Sequence, residues 1–409
     1  MDLETIARNC TVQNGNPCPA CDEHIRYAPL IRRQQENSRN IRTKMNAKHD
    51  PFILKLPLEI SSNIFLLSMG DRDTGDVCQR GKGLPTPLLL GAVCSGWREL
   101  ARRTPALWSR LVFTFSYSTL LKNRINTPHL IADWLGRSGG LPLALQISYD
   151  GLGYGGSIYT SDHTNRWNSV IETLNLHSGR WCEVDLALPR HYIAALRGTF
   201  TPNCLRKLSF SHREYNYPED IVLEFKMTKN PSPMTFEFSG FHLKNVNVSW
   251  DKLVDLELNG TSLDGVLQII REAPLLETCL LLCIFPSAGD FPTTPSPGTI
   301  IRHPKIQKLV VSSRHTGVVV ELVNSLKLRS LESCNLSLYT DDINPLPIDA
   351  VISFIKHSTW RLKTLNLWYN VPEHWGDEPY PGLEDIKRLL QVVPHLQHRL
   401  GARGVSCYQ

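Results

Sequence analysis

The sequence lacks the features that would direct the chain to a membrane or to the secretory pathway. No apolar run approaches the roughly 18 residues that a membrane-spanning helix needs. The first ten residues, MDLETIARNC, include acidic side chains and no apolar stretch, so we expect no signal peptide. The 11 cysteines are odd in number and scattered, mostly in apolar runs, as is typical of reduced thiols in a protein core. We therefore expect a cytoplasmic or nuclear protein without membrane partners.

Patterns that would indicate catalysis are also missing. The sequence contains no His-x-x-x-His, and its 14 histidines are dispersed. Residues 151–156 fit the dinucleotide pattern G-x-G-x-x-G, but helical periodicity begins only near Trp167, too late to face a pyrophosphate. Asp71, Asp73 and Asp76 resemble the start of a calcium loop and lack the Gly and Glu that complete it. We predict a binding protein that is not an enzyme and has no cofactor.

The charge distribution gives no indication of nucleic-acid binding. The formal net charge is +5 over 409 residues, which is modest. Lys and Arg cluster only as the short pairs at residues 32–33 and 102–103, and neither pair makes a basic stripe. We expect no nucleic-acid partner.

The N-terminal segment, residues 1–50, is polar and contains one group of residues with metal-ligand chemistry. The four candidates are Cys10, Cys18, Cys21 and His24. Together they could supply a tetrahedral zinc site. The second ligand pair that usually follows a dozen or more residues later is missing. We interpret the segment as a flexible lead-in with one helix around residues 28–39 and predict no metal site.

The most informative stretch covers residues 54–113. It opens with Leu56-Pro57, and Pro is well placed at the first position of a helix. Ile60 and Ile64 then recur at helical spacing. Farther on, one apolar stripe at helical spacing predicts a second helix, and it comprises Leu89, Val93, Trp97 and Leu100. A third short turn with Leu107 and Trp108 should follow Pro105. So small a unit cannot bury all this apolar surface by itself, and we expect a partner to cover part of it.

The order and spacing of these residues resemble the F-box family, in the form common in fungi. The likeness is carried by Leu56-Pro57-Leu58-Glu59-Ile60, by Val93-Cys94 with Trp97-Arg98, and by Leu107-Trp108. Residues 70–87 form an insertion that is longer than usual, and their Gly, Asp and Pro content predicts an exposed loop. The alternative is an unrelated three-helix unit with a chance Leu-Pro pair.

From about Pro128 onward, helix-like segments alternate with short apolar segments that we predict to be strands. The strand centres lie near residues 145, 184, 207, 236, 256, 280, 309, 331 and 365. Most steps between these centres are near 20 to 30 residues, which is the length range of leucine-rich repeats. Two units also have the spacing L-x-x-L-x-L that is typical of such repeats, at residues 253–258 and 362–367. Each strand-plus-helix unit can bury its apolar residues only against its neighbours. The pattern favours an irregular leucine-rich-repeat-like solenoid over the alternative, a doubly wound α/β sheet.

The predicted fold class is therefore α/β, with a small three-helix F-box domain followed by the solenoid. The expected domains are a flexible segment at 1–50, the F-box-like domain at 52–113 with its inserted loop at 70–87, the repeat domain at 125–400 and a tail at 401–409.

The F-box resemblance implies a role in protein ubiquitination. It implies that the helices dock on a Skp-type adaptor, which connects to a cullin and a RING subunit in an SCF ubiquitin ligase. The repeat domain would hold a protein substrate, and the chain would contribute proximity and no transfer chemistry. By resemblance, the adaptor-binding residues are Leu56, Pro57, Ile60, Ile64, Val93, Trp97 and Trp108. Two alternatives remain open: a repeat scaffold without ligase function, and a nucleotide-binding enzyme with its site at residues 151–156.

Overall fold

The computed structural model describes residues 19–69, 85–116, 127–150, 161–188, 192–193, 195–198, 204–211, 230–239, 246–286, 300–338, 348–358, 362–369, 383–393, 397–401 and 404–408. The chain divides into two compact units. The N-terminal unit comprises Met1–Gly75 and Lys82–Trp108, and the C-terminal unit comprises Asp76–Gly81 and Ser109–Gln409. None of the helices in the described ranges combines the length and apolar composition that a membrane crossing requires.

The described part of the N-terminal unit is helical. Its elements are α1 (Pro19–His49), α2 (Pro51–Lys55), α3 (Leu58–Ser68), α4 (Thr86–Val93), α5 (Ser95–Arg102) and a 3₁₀ turn (Pro105–Trp108). Helix α1 is far longer than the helix expected around residues 28–39. It is rich in Arg, Ala, Lys, Gln and Glu, which favour helix even without an apolar face. Among its side chains whose burial is described, only that of Ala28 is buried.

The stripe predicted to lie on one helix is divided between α4 and α5. Helix α4 ends at Val93, and Cys94 has an extended backbone with φ −156° and ψ 174°. The Cys94 Sγ accepts a hydrogen bond from the backbone N–H of Trp97 at 3.4 Å, so Cys94 caps the N-terminus of α5. The single-helix prediction is wrong because apolar spacing continues across the break, and spacing alone does not detect a residue that leaves helical dihedrals.

The C-terminal unit has α/β structure, which confirms the predicted class. In chain order its described elements are β1 (Arg110–Ser116), α6 (Thr127–Arg137), β2 (Leu143–Asp150), α7 (Ser161–Leu176), a 3₁₀ turn (Ser178–Arg180), β3 (Trp181–Ala187), β4 (Lys207–Ser211), β5 (Thr235–Ser239), β6 (Asp255–Asn259), α8 (Leu263–Glu272), β7 (Thr278–Leu282), β8 (Ile301–His303), β9 (Lys308–Ser313), α9 (Thr316–Ser325), β10 (Leu326–Leu328), β11 (Ser333–Leu338), α10 (Ile348–Ser358), β12 (Thr364–Tyr369), α11 (Leu383–Val392), β13 (Gln397–Gly401) and β14 (Gly404–Tyr408).

Ten parallel strands follow one another across the main sheet in chain order. The order is β1-β2-β3-β4-β5-β6-β7-β9-β11-β12, and the sheet then continues through β14 to β13. A doubly wound sheet reverses its strand order at a switch point, and the described parallel strands contain no such reversal. Each predicted strand centre lies inside an observed strand, except that near residue 331, which lies just before β11.

Two in-register rows of apolar side chains form the core under this sheet. The first row contains Leu145, Val184, Leu208, Phe236, Leu256, Cys279, Leu309, Cys334 and Leu365. The second contains Ile147, Leu186, Phe210, Phe238, Leu258, Leu281, Val311, Leu336 and Leu367. All of these side chains are buried. Side chains alternate between the two faces of a strand, so the residues between them lie on the opposite, half-exposed face.

The units from β4 to β12 share one backbone hydrogen-bond geometry. The carbonyl of Arg206, just before β4, accepts hydrogen bonds from Met234 and Thr235 at the start of β5, at 2.8 and 2.9 Å. The same paired acceptance recurs at the carbonyls of Met234, Val254, Glu277, Gln307 and Glu332. A buried residue also stands two positions before each of these strands: Leu205, Pro233, Leu253, Leu276, Ile306, Leu331 and Leu362. The units are therefore structurally equivalent although their lengths differ.

Helices pack in sequence beside the core, with α6 against α7 and each helix from α8 to α10 against the next one along the chain. Strands β8 and β10 form a separate two-stranded parallel sheet. Neither strand was predicted, because three residues are too few to show alternation.

The C-terminal end differs from the expected tail at 401–409. Strand β14 pairs antiparallel with β12, with Thr364 opposite Tyr408, and β13 pairs with β14. The segment shows little apolar alternation, so its strand structure depends on hydrogen bonds to β12 rather than on a local sequence signal.

Candidate functional site

Three aromatic side chains form the centre of the N-terminal unit. They are Phe52 of α2, Phe65 of α3 and Trp97 of α5. The ring centroids of the two Phe residues are 5.4 Å apart. The Trp97 centroid lies 5.0 Å from that of Phe52 and 5.1 Å from that of Phe65. Such aromatic pairs stabilise by about 0.5–1.5 kcal/mol beyond the area they bury. The three helices are therefore held together by one aromatic cluster.

Asp50 connects α2 to α5. Its Oδ1 accepts a hydrogen bond from the Phe52 backbone N–H at 3.0 Å, which caps α2. Its Oδ2 accepts hydrogen bonds from the Trp97 indole Nε1–H at 2.9 Å and from the Cys94 Sγ at 3.6 Å. The sequence analysis missed Asp50, although an Asp directly before Pro51 is a helix-start signal. Because its indole N–H is bonded inside the unit, Trp97 acts mainly in packing.

Helix α3 presents an apolar stripe to solvent. Ser61 and Phe65 are its buried residues. Ile60, Ile64 and Leu67, at i, i+4 and i+7, are 47%, 40% and 83% exposed. Single exposed apolar residues are ordinary, whereas a contiguous apolar surface is typical of an interaction site. We call these three residues the α3 stripe.

Further exposed apolar residues lie in the same unit. Leu54, Leu56 and Leu58 lead into α3, and Leu89 and Val93 lie one turn apart on α4; all five are at least one-third exposed. Pro57 is also exposed and is the N-cap of α3 rather than its first residue. Leu54, Leu58, Leu67 and Leu89 were not among the predicted adaptor-binding residues, because apolar spacing does not reveal which side of a short helix its neighbours leave open.

The predicted adaptor-binding residues therefore separate into two groups. Five of them are exposed: Leu56, Pro57, Ile60, Ile64 and Val93. Trp97 is half-buried in the aromatic cluster. Trp108 is only 2% exposed, and its Nε1–H donates to the Ala101 carbonyl at 2.7 Å. Trp108 therefore lies in the core of this unit, and its contact with an adaptor stays a prediction.

The half-exposed face of the C-terminal sheet is a second candidate surface. Burial alternates strictly along β5, β6 and β7, so every second side chain faces solvent. The strands are parallel and in register, so these side chains form rows across the sheet. Such rows can contact an extended partner along their length.

Buried titratable groups in the C-terminal unit have structural environments. Burial raises the pKa of the Cys279 thiol to about 12, which keeps it protonated and unreactive. Burial also lowers the pKa of His303, and nearby Lys305 acts in the same direction. The neutral His303 ring donates from Nε2 to the Ala273 carbonyl at 2.8 Å and accepts at Nδ1 from the Ile306 N–H at 3.2 Å. These contacts connect α8 to the segment before β9.

Several sequence-based candidates lie outside the described residues. These are Cys10, Cys18, the acidic residues Asp71, Asp73 and Asp76, and residues 151–156. Cys21 and His24 belong to α1. In the ranges that the structure describes, no group of three or more His, Cys, Asp or Glu side chains is arranged to hold a metal ion.

Comparison with known proteins adds no assignment: no protein-family model, no curated protein and no solved structure matches the chain. A functional hypothesis therefore depends on the two surfaces described above and on the F-box resemblance of the sequence.

Proposed function

We propose that this protein is the substrate-recognition subunit of an SCF-type ubiquitin ligase. The N-terminal unit acts as an F-box domain that docks on a Skp-type adaptor and, through it, on a cullin and a RING subunit. The C-terminal unit holds a protein substrate. The observation that carries the proposal is the α3 stripe, which directly follows the Leu56-Pro57 pair of the F-box resemblance and faces solvent.

The energetics of the α3 stripe support docking of an apolar partner. Full burial of an Ile or Leu side chain contributes about 1.5–3 kcal/mol. Ile60 and Ile64 are about half-exposed and Leu67 is almost fully exposed. Their complete burial would contribute roughly 3–5 kcal/mol before the costs of association. This is a substantial part of the binding free energy of a micromolar complex, about −8 kcal/mol.

Three features of the C-terminal unit support the proposal that it is a solenoid of leucine-rich-repeat type. Its strands succeed one another in chain order, two continuous rows of apolar residues fill the core, and the same carbonyl geometry recurs from β4 to β12. In a solenoid each unit contacts only its neighbours, and the face of the sheet that the helices leave open serves as an extended binding surface. The proposal assigns the substrate to this half-exposed face.

In this role the chain carries out no ubiquitin-transfer chemistry. It raises the effective concentration of a substrate lysine near the charged conjugating enzyme, and such proximity can replace a large part of a bimolecular barrier. The proposal places the protein in the cytoplasm or nucleus, where this machinery works.

Co-expression with a Skp-type adaptor, followed by pull-down and size-exclusion chromatography, tests the proposal. The test variant is Ile64→Glu/Leu67→Glu, at positions 40% and 83% exposed. The matched control is Leu275→Glu/Leu176→Glu in the C-terminal unit, at positions 37% and 83% exposed. We expect a stoichiometric complex with the wild-type chain and the control, and at least tenfold weaker binding by the test variant, since two charges would enter an apolar interface.

A folded wild-type chain that forms no complex would refute the adaptor role. The remaining hypothesis would then be a repeat scaffold without ligase function. Equal binding by the wild-type chain and the Ile64→Glu/Leu67→Glu variant would show that the adaptor binds elsewhere and that the α3 stripe is not its site.

A further inference from the structure

The half-exposed face of the C-terminal sheet is chemically uneven. Its central row, in register from β3 to β9, contains Asp185, Ser209, Glu237, Glu257, Leu280 and Val310. The adjacent row contains Glu183, Lys207, Thr235, Asp255, Thr278 and Lys308. The carboxylates of these rows thus lie on β3, β5 and β6, with Lys207 on β4 between them. Strands β7 and β9 contribute no acid, only the apolar pair Leu280 and Val310 with Thr278 and Lys308 beside it.

Two glutamates lie side by side in this face. Glu237 of β5 is directly in register with Glu257 of β6, and neighbouring strands are about 4.8 Å apart. Like charges at opposite positions destabilise a sheet. Lys207 partly offsets this repulsion, because its Nζ forms an ion pair with Oε1 of Glu237 at 2.5 Å. Among the described side chains, Asp255 and Glu257 take part in no ion pair, so β6 carries two carboxylates whose charge no cation of the sheet balances directly.

The apolar pair adjoins these carboxylates directly. Leu280 of β7 is in register with Glu257 on one side and with Val310 of β9 on the other. Both Leu280 and Val310 are half-buried, although they point to the side of the sheet opposite the core. An acidic site beside an apolar site on one face matches a partner with a cation followed by an apolar side chain.

We propose that this face binds an extended, basic segment of a protein, with a Lys or Arg over Asp255 and Glu257 and an apolar side chain over Leu280 and Val310. The opposite charge of such a segment relieves the repulsion that the sheet itself leaves on β6. The identification of this segment as part of a ubiquitination substrate rests on the proposed function, whereas the binding preference does not.

Sheet geometry sets the spacing of the two recognised side chains. The midpoint between Leu280 and Val310 lies one and a half strand separations from β6, or about 7 Å. An extended chain advances about 3.3 Å per residue, so this distance corresponds to two residues. Side chains two apart in an extended segment point to the same side. The recognised pattern is therefore a basic residue, any residue, and an apolar residue.

Fluorescence polarisation of the full chain with labelled nine-residue peptides tests the preference. The probe peptide carries Arg-Ser-Leu within neutral Gly-Ser flanks. Comparison peptides carry Glu-Ser-Leu, Arg-Ser-Ser, or Arg and Leu separated by three Ser residues. We expect measurable binding of the Arg-Ser-Leu peptide, weakened by added salt, and about tenfold or greater loss with Glu-Ser-Leu, because a hydrogen-bonded charge contact is replaced by repulsion.

Two chain variants locate the site. Asp255→Asn/Glu257→Gln should weaken Arg-Ser-Leu binding about tenfold or more, while its unfolding midpoint stays equal to that of the wild-type chain or rises, because the variant removes repulsion. The control Glu172→Gln/Glu321→Gln makes the same charge change on exposed positions of α7 and α9 and should bind like the wild-type chain. Unchanged binding by the first variant, or equal binding of Arg-Ser-Leu and Glu-Ser-Leu, would overturn the inference.

The peptide assay contains no adaptor, so its result is independent of the adaptor test. An adaptor complex without preference for the Arg-Ser-Leu peptide would overturn only this inference. Peptide preference without an adaptor complex would overturn the ligase function and leave a scaffold that binds basic segments.

Discussion

Removal of the Asp50 carboxylate should selectively destabilise the N-terminal unit. In Asp50→Ala, α2 loses its cap at the Phe52 N–H, which costs about 1 kcal/mol. The Trp97 indole N–H loses its charged acceptor, which costs about 1.5–3 kcal/mol at a buried site and less here because Trp97 is only half-buried. We expect a total loss of about 2–3 kcal/mol in the free energy of unfolding of this unit.

Hydrogen exchange of the full chain, followed by mass spectrometry, measures this effect locally. Peptides from α2 and α5 should exchange roughly 30- to 150-fold faster in the variant, as about 2–3 kcal/mol requires when local opening limits exchange. Peptides from β5 to β7 in the C-terminal unit should exchange at wild-type rates and serve as an internal control.

A double-mutant cycle with Trp97→Phe isolates the bond between Asp50 and the indole. Phe keeps an aromatic ring in the cluster and removes the N–H donor. We expect a coupling energy of about 1 kcal/mol between the two positions. If the exchange rates of α2 and α5 in Asp50→Ala differ from the wild-type rates by less than about twofold, the Asp50 carboxylate does not hold these helices together.

Three further predictions concern packing, pH and thiol chemistry. Phe65→Ala should cost about 3–5 kcal/mol of stability because Phe65 is only 1% exposed, whereas Leu67→Ala on the same helix should stay within about 0.5 kcal/mol; denaturant unfolding compares them. Burial lowers the pKa of His303 from 6.5 in the folded state. The neutral ring therefore stabilises the fold fully above pH 6.5, and this contribution is lost as the pH falls toward the lower pKa of the folded state. Denaturation curves between pH 7.5 and 5 should therefore lose less stability in His303→Gln, and an equal loss would contradict the assignment. In the native chain iodoacetamide should modify the exposed Cys283 and spare the buried Cys279, as peptide mapping can determine.

The parallel strands of the main sheet were largely predictable because each has a local apolar signal. The equivalence of the units from β4 to β12 was harder to recognise, since their buried row positions demand an apolar side chain of suitable size and not Leu in particular. Cys279, Cys334 and Phe236 occupy the same row as Leu256 and are equally buried. A search for L-x-x-L-x-L therefore finds clearly only two of the units that the backbone geometry shows to be equivalent.

The candidate docking surface was only partly predictable. The F-box resemblance implied the same adaptor-binding role for Ile60, Ile64 and Trp108, because all three are apolar residues of the family-like stretch. Burial distinguishes them, since the two Ile residues are exposed and Trp108 is enclosed. Periodicity identifies an apolar face, and the positions of the neighbouring helices decide whether that face is core or surface.

The sequence by itself determined the alternation of helices and strands, the division between a helical start and a repeating remainder, and the likeness to an F-box. These properties follow from local spacing and composition, which act within one helix or strand. Only the tertiary structure decided the break at Cys94, the strand pairing of the C-terminal end, and the register that sets Glu237 beside Glu257 and next to Leu280. Each of these depends on hydrogen bonds or packing, and for the last two the partners are distant in the chain, so no local pattern specifies them.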